Sequence, residues 1–370
     1  MIIGIDATRA NKPQKTGVEW YSYHLIRELA QLPSRHILRL YFRNTPEEGL
    51  QNLGPNVTYR ILRWPLPYLW TQMRLSWEML IHPPDLLFIP AQIIPLIHPA
   101  RTITTIHDVA FKPYPDSYRL RSRLYLDFAA RLARRLPMIL TISEFSRQEI
   151  HAYYAIPLAS IVVTPLGFAH DESKPAPIAP AKFGVREPYL LYIGRLERKK
   201  NVSVIVKSFN LIKKEKWGRN FQLILAGVKG HGWEAIERLI RSSAFREDIK
   251  IIGWITEAEK HSLLERATAF ILLSAYEGFG LPLLEAMASR TPVIASDQAA
   301  LPEIAGSAAY LVPRGSSKAV RDALKDIIHN AAVRNQLITA GEKRVRDFTW
   351  RKTAEKTMEA FEALLKRIIL

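Results

Sequence analysis

Two carboxylates eight positions apart, Glu277 and Glu285, bracket the run Gly278-Phe279-Gly280-Leu281-Pro282. A carboxylate that accepts paired hydroxyl protons is a good ligand for a sugar or a ribose. Pro282 suits the first turn of a helix, where its missing N–H costs nothing. The backbone N–H groups around Gly278, Gly280 and Leu281 would then form an anion site at a helix N-terminus. Glu277 is expected before that helix and Glu285 on its first turn, both facing one pocket. A plainer reading is a helix start whose acidic residues suit the dipole; the glycine-rich insert directly after an apolar strand favours the ligand site. A second cluster, Gly194-Arg195-Leu196-Glu197-Arg198-Lys199-Lys200-Asn201, also follows a strand and opens a helix. Cations at such a turn suit a diphosphate. Arg195 and Lys200 are the expected ligands, and Arg198 and Lys199 read as solvated. The turn Gly227-Val-Lys-Gly-His-Gly-Trp233 reads equally as a nucleotide contact or a plain loop. It lacks the Gly-Lys-Ser/Thr of a phosphate-binding loop, and no Gly-x-Gly-x-x-Gly follows the first strand.

These turns need strands to end beside them. Apolar runs at 2–5, 37–42, 57–62, 86–89, 102–106, 139–142 and 161–164 read as strands, with a helix over 18–29 and further helices between. A Pro-rich, mixed-charge stretch at 170–187 reads as a linker. A second alternation follows, with strands at 189–193, 221–226, 249–252, 269–273, 292–295 and 311–312 and helices between. The fold class is therefore α/β, with two Rossmann-like domains facing a central cleft. The expected limits are 1–169 and 188–349, with a last amphipathic helix at 350–370 that packs back on the first domain.

The 370 residues and 48% hydrophobic content supply two cores and exclude disorder. With no cysteine, there is no disulfide framework, Cys-ligated zinc or cysteine nucleophile, which fits a reducing compartment. The opening MIIGIDATRA lacks a secretory pattern. Leu86 to Ile97, interrupted by Pro90, Gln92 and Pro95, is too short for a membrane span of about 20 residues. A net charge of +17 admits nucleic acid, an anionic membrane or phosphorylated substrates as partners.

Together these residues resemble the family-4 retaining glycosyltransferases of GT-B fold, over nearly the whole chain. The motifs are Glu277-x7-Glu285, the Gly194…Asn201 turn, Thr16-Gly-Val-Glu19, Thr105-Ile-His-Asp-Val109, Thr141-Ile-Ser-Glu-Phe-Ser146, Val163-Thr-Pro-Leu-Gly167, Leu301-Pro-Glu303 and Phe348-Thr-Trp350. The resemblance implies a nucleoside-diphosphate sugar, GDP-mannose or a UDP-hexose, held mainly by the second domain. Arg195, Lys200, Gly17, Gly280 and Leu281 would bind the diphosphate, and Glu285 the ribose. Glu277, Gly278, Phe279, His107 and Asp108 would bind the sugar, with His107 and Glu277 as catalytic residues. The family's usual second glycine or arginine after Gly17 is replaced by Glu19 and Trp20. No Asp-x-Asp is present, so no metal or other cofactor is expected. The implied reaction is hexosyl transfer with retention to a glycan or lipid-linked acceptor in cell-surface polysaccharide synthesis, similar to bacterial mannosyltransferases and carried out in the cytoplasm.

Ser143, Glu144 and Ser146 read as helix caps ahead of acceptor groups. Residues 117–136 place Leu120, Leu124, Phe128, Leu132 and Leu136 four apart among arginines. This predicts a stripe packed on the sheet; the competing reading is peripheral contact with anionic lipid, to which the aromatics of 64–70 would add. Two readings from other classes are a non-catalytic relative and a basic nucleic-acid-binding protein. The five intact charged site residues oppose the first, and the absence of nucleic-acid motifs opposes the second.

Overall fold

The computed structural model describes residues 1–66, 68–168 and 180–366. It divides into two compact units, Met1–Gly167 with Phe348–Leu370, and Phe168–Asp347. Residues 170–179 of the expected linker and 367–370 of the expected last helix lie outside the described residues.

In unit 1 the strands are β1 (Ile2–Asp6), β2 (Ile37–Phe42), β3 (Val57–Ile61), β4 (Leu86–Ile89), β5 (Thr102–Thr105), β6 (Met138–Thr141) and β7 (Ile161–Val163). They form a parallel sheet in the order β3-β2-β1-β4-β5-β6-β7. Its central strands β4, β5 and β6 are buried on both faces, which is why they read as unbroken apolar or threonine runs. The helices are α1 (Gly17–Gln31), α2 (Ser76–Ile81), α3 (Leu120–Ala133) and α4 (Glu144–Tyr154). Trp70–Leu75, a π-helical turn, leads into α2. Right-handed crossovers put α2, α3 and α4 on one sheet face and α1 on the other.

The chain returns to unit 1 at its end. A late helix (Trp350–Lys366) packs on α1, burying Phe361 against Phe88 at 5.0 Å between ring centroids. Gly167 is needed there, because a Cβ would collide with the backbone nitrogen of Trp350. Thr353 Oγ1 donates to the Pro165 carbonyl at 2.7 Å. Two separate sequence motifs thus meet at one helix start.

The first three residues of the expected stripe do not pack on the sheet, whereas Leu132 packs against the core and Leu136 is buried in it. Leu120, Leu124 and Phe128 are 60%, 58% and 51% exposed, while Ala129, Ala130 and Ala133 form the buried face. The alanines let the helix axis approach the sheet and turn the longer side chains outward.

Unit 2 alternates more regularly: β8 (Tyr189–Ile193), α5 (Val202–Lys214), β9 (Gln222–Ala226), α6 (Trp233–Arg241), β10 (Ile249–Gly253), α7 (Glu257–Arg266), β11 (Ala269–Leu272), α8 (Leu281–Ala288), β12 (Val293–Ser296), α9 (Leu301–Ala305), β13 (Tyr310–Val312), α10 (Ser317–His329) and α11 (Ala331–Val345). The late helix 350–366 is then α12. The parallel sheet order is β10-β9-β8-β11-β12-β13. Helix α11 is absent from the sequence reading, since only Leu337 and Gly341 of it are buried. Gly341 lets it lie close on Met287 of α8.

Candidate functional site

In each unit the strand order reverses at one place, between β1 and β4 and between β8 and β11. Loops leaving neighbouring strands diverge there and open a crevice at their carboxyl ends. The two charged motifs of unit 2 leave from either side of its reversal, Arg195–Lys200 after β8 and Glu277–Gly280 after β11.

The first loop is held by its neighbour. Leu196 N–H donates to Val228 O at 2.9 Å, Gly230 N–H to Leu196 O at 3.0 Å, and Arg198 N–H to His231 O at 2.9 Å. Gly227 has φ +139°, and a Cβ on it would collide with the Gly194 carbonyl. Gly230 leaves room for the stem of Arg195. The glycine turn 227–233 is therefore scaffolding for the cationic loop. The exposed Arg195 guanidinium has no partner among the described residues. Lys199 is not solvated as expected: its side chain is 14% exposed and its ammonium lies 3.5 Å from the buried Glu197. Asn201 adopts the left-handed conformation (φ 53°) at the start of α5, and its side-chain amide donates to Leu273 O at 2.8 Å. This clamps the end of the loop onto the end of β11.

There Lys200 pairs with Glu277, which also accepts from Ser274 Oγ at 2.8 Å. Both side chains are largely buried, so neither charge can leave without stranding the other. Gly280 caps α8 with φ +107°, and a Cβ would meet Leu301 Cδ2 at 2.8 Å. Pro282 occupies the first turn as expected. Phe279 is 3% exposed, so its ring belongs to the core and only its backbone can meet a ligand. Glu285 is the fifth residue of α8, one turn further in than expected.

Glu285 has a partner that the sequence reading missed. Lys260 of α7 lies 2.6 Å from Glu285 Oε1 and 2.6 Å from Glu257 Oε2. Burial alone would push its ammonium down, but Glu285 and Glu257 outweigh it and hold the pKa above the ordinary lysine value. Lys260 lies inside a helix, away from the loops after strands where ligand chemistry is expected in such sheets. Its local signal is Thr256-x-x-Glu259, a capping box that starts α7 and puts Lys260 on its first turn.

In unit 1, a cavity of about 310 Å³ lies beside the strand reversal, lined by Arg9, Glu19, Gln92, His107, Asp108 and Leu126 among others. Glu19 is the N3 residue of a capping box: it accepts from Thr16 N–H at 3.3 Å and from Thr16 Oγ1. Arg9 reaches it at 3.1 Å and Lys12 at 3.5 Å. Burial raises the Glu19 pKa, but the Thr16 bond and the two cations overcome this and leave it below the usual carboxylate value. The departure from the family pattern at Glu19 thus builds a fixed anion inside the pocket. At Gly17 a Cβ would meet nothing within 4 Å, so packing within the chain does not require glycine there.

His107 Nε2 lies 3.1 Å from the Pro90 carbonyl, and its ring stands edge-on to Tyr21 at 4.6 Å. A carbonyl only accepts, so Nε2 carries the proton and Nδ1 presents a lone pair. Burial lowers its pKa more than Pro90, Asp108 and Glu19 raise it, so the ring is neutral at pH 7. Asp108 accepts from Ala110 N–H at 2.9 Å and shapes the loop. Ser143 caps α4, accepting from Ser146 N–H at 3.0 Å, as the capping reading expects. His24 is sandwiched between Trp20 and Trp350, with centroids at 5.3 and 5.0 Å; burial, with Arg27 and Lys15, lowers its pKa to about 4. Among the described residues no cluster of three or more His, Cys, Asp or Glu side chains could hold a metal, and no helix is long and apolar enough to cross a membrane.

Two family models match the chain in tandem. A family model described as "Glycosyltransferase Family 4" matches residues 15–172, and one described as "Glycosyl transferases group 1" matches residues 173–344. The chain is 26% identical to O-antigen chain mannosyltransferase B of Escherichia coli, over 97% of this chain and 99% of that one. Its fold is similar to sucrose-phosphate synthase from Thermosynechococcus elongatus, with TM-score 0.72, 20% identity and coverage of 98% and 99%. It is also similar to Anabaena Alr3699/HepE in complex with UDP-glucose, with TM-score 0.69, 16% identity and coverage of 98% and 100%.

Proposed function

The chain belongs to the family-4 glycosyltransferases with the GT-B fold, and from that premise we propose that it transfers mannose from GDP-mannose, with retention, to a glycan or lipid-linked acceptor in cell-surface polysaccharide synthesis. One observation carries the donor site: Arg195, Lys200, Glu277 and the N-terminus of α8 lie on loops flanking the strand reversal of unit 2. In this proposal the bond from the anomeric carbon to the β-phosphate oxygen breaks. The acceptor hydroxyl oxygen bonds to that carbon on the same face, and its proton passes to the departing diphosphate. Arg195, Lys200 and the backbone N–H groups at Gly280 and Leu281 offset the charge that grows on the leaving group. Gly17 is assigned to the diphosphate as the family pattern implies. Glu277 takes sugar hydroxyls while its ion pair holds Lys200 in place, and Glu285 takes the ribose. His107, with Asp108 shaping its loop, is assigned to the sugar near its reacting carbon, as a neutral ring whose Nδ1 accepts a hydroxyl proton. Charge neutralisation is assigned to these cations rather than to a metal.

The donor is tested by thermal shift with GDP, UDP, ADP and TDP sugars in EDTA, on wild type and Lys200→Ala. GDP-mannose should stabilise the wild type alone; no shift with any of them sinks the donor site. A UDP-hexose is the second reading, supported by the UDP-glucose held by the Anabaena relative. A cytoplasmic location fits a cysteine-free chain and a nucleotide-sugar donor.

A further inference from the structure

We propose that the cavity of unit 1 is a subsite for an uncharged sugar ring, the terminal residue of the acceptor glycan, and that Glu19 and Arg9 grip its hydroxyls while Tyr118 and Phe111 give it an apolar wall. That the sugar is the acceptor rests on the glycosyltransferase reading; that the cavity takes a sugar does not.

At about 310 Å³ the cavity lies near the lower end of the range for small-molecule sites, about 300–1,000 Å³. That suits a compact ring better than a long chain. Its lining is of two kinds. Ala91, Ile93, Phe111, Tyr118 and Leu126 are apolar, with the Phe111 and Tyr118 rings edge-to-face at 6.3 Å. Arg9, Thr16, Glu19, Gln92, His107 and Asp108 are polar. A pyranose is two-sided in the same way, with C–H bonds on its ring faces and hydroxyls around its edge. The lining is also held in place. Gln92 is buried and keeps a left-handed backbone (φ 61°), a strained conformation for a residue with a Cβ. Its amide donates to Leu126 O at 3.2 Å, which fixes α3 to the loop through which Ala91 and Ile93 enter the cavity.

Charge selects the ligand. The chain carries +17, yet the cavity has no surplus of positive charge. Its lining holds one guanidinium, Arg9, and two carboxylates, Glu19 and Asp108; Lys12 reaches Glu19 from outside the lining at 3.5 Å. Both cations are engaged by Glu19. A phosphate or carboxylate on the ligand would face two acids and would have to draw Arg9 away from a buried anion. A hydroxyl asks for neither. It donates to a carboxylate oxygen and accepts from a guanidinium, so Glu19 and Arg9 keep their ion pair while binding neighbouring hydroxyls. His107 is assigned to the transferred sugar, so a ring beside it brings its own hydroxyl to the carbon that reacts. An acceptor that ends in a neutral sugar is the product of an earlier glycosyl transfer. The enzyme then extends a chain and does not start one on a lipid phosphate.

The test is saturation-transfer NMR of the full chain with the methyl α-glycosides of mannose, glucose and galactose and with the 6-phosphates of the same sugars. Transfer from GDP-mannose to the glycoside that binds, and to farnesyl phosphate, is then measured. At least one neutral glycoside should give ring-proton signals in wild type, and its 6-phosphate should bind roughly tenfold more weakly. Tyr118→Ala should weaken glycoside binding about fivefold. Glu19→Gln should raise the acceptor KM about tenfold or more while the KM for GDP-mannose moves far less. Glu19 also caps α1, so Leu126→Trp, which fills the cavity and leaves that cap alone, should abolish the glycoside signal with a circular dichroism spectrum like that of wild type. No signal from any neutral glycoside overturns the subsite. So do equal binding of a 6-phosphate, transfer to farnesyl phosphate as fast as to the glycoside, or signals untouched by both Tyr118→Ala and Leu126→Trp. Glycoside binding without GDP-mannose binding would remove the donor reading and leave the sugar site standing; GDP-mannose binding without any glycoside signal would do the reverse.

Discussion

The two units cover their sheets with helices of similar sequence pattern and opposite orientation. In unit 2, α10 spaces Val320, Ala323, Leu324 and Ile327 along one side, and all four are inaccessible to solvent. In unit 1, α3 spaces Leu120, Leu124 and Phe128 just as regularly, and all three face outward over buried alanines. Among the described residues unit 2 exposes only Val228, Ile251, Trp254 and Leu311 of its large apolar side chains, while unit 1 exposes many. Apolar spacing reveals a stripe; what covers the stripe depends on which side has the small residues that let the helix settle.

A matched pair of truncations breaks that comparison most directly. Leu324→Ala should cost about 3 kcal/mol, whereas Leu124→Ala should stay within about 0.5 kcal/mol, both by chemical denaturation. Equal losses would show that α3 packs its stripe after all. The site of unit 2 gives the next effect: Lys200→Ala should lower kcat/KM for GDP-mannose by about 10²-fold, with little change in fold by circular dichroism. Gly280→Ala strains a left-handed position and crowds Leu301, so melting should report a loss of about 2 kcal/mol. The smallest effect is an acid limb that belongs to unit 1. His24 titrates near 4 in the folded chain against about 6.5 unfolded, so the unfolded state binds the extra proton first. Stability should fall as pH drops from about 6.5 toward 4, by about 1 kcal/mol after allowance for partial solvent access. His24→Gln should flatten that limb in a melting series. An unchanged slope would mean that the Trp20–His24–Trp350 stack does not restrain the ring.

Much of this was legible in the residues. Strand positions fell within a residue or two, because central parallel strands are apolar on both sides and leave no ambiguity of phase. Arg195, Lys200 and Glu277 were legible as neighbours of strand ends; that Lys200 and Glu277 pair required the strand order, since they are 77 residues apart. Lys260 was hidden because its partner Glu285 is on another helix. The π-helical turn at 70–75 left no periodic trace, and α11 was too polar to stand out. Glu19 looked like a defect in a glycine motif, and only its bonds to Thr16 and Arg9 show it as a built part of the pocket.

Helix α12 completes unit 1 from the far end of the chain, after the whole of unit 2. On the ribosome, therefore, the second unit emerges complete before the first. While residues 168–347 are synthesised, Phe88 and the outer side of α1 wait without the cover that Phe361 and the rest of α12 later supply. The usual vectorial order, N-terminal domain first, is reversed. A released chain truncated after Asp347 should already protect unit 2 from protease while unit 1 remains open to cleavage.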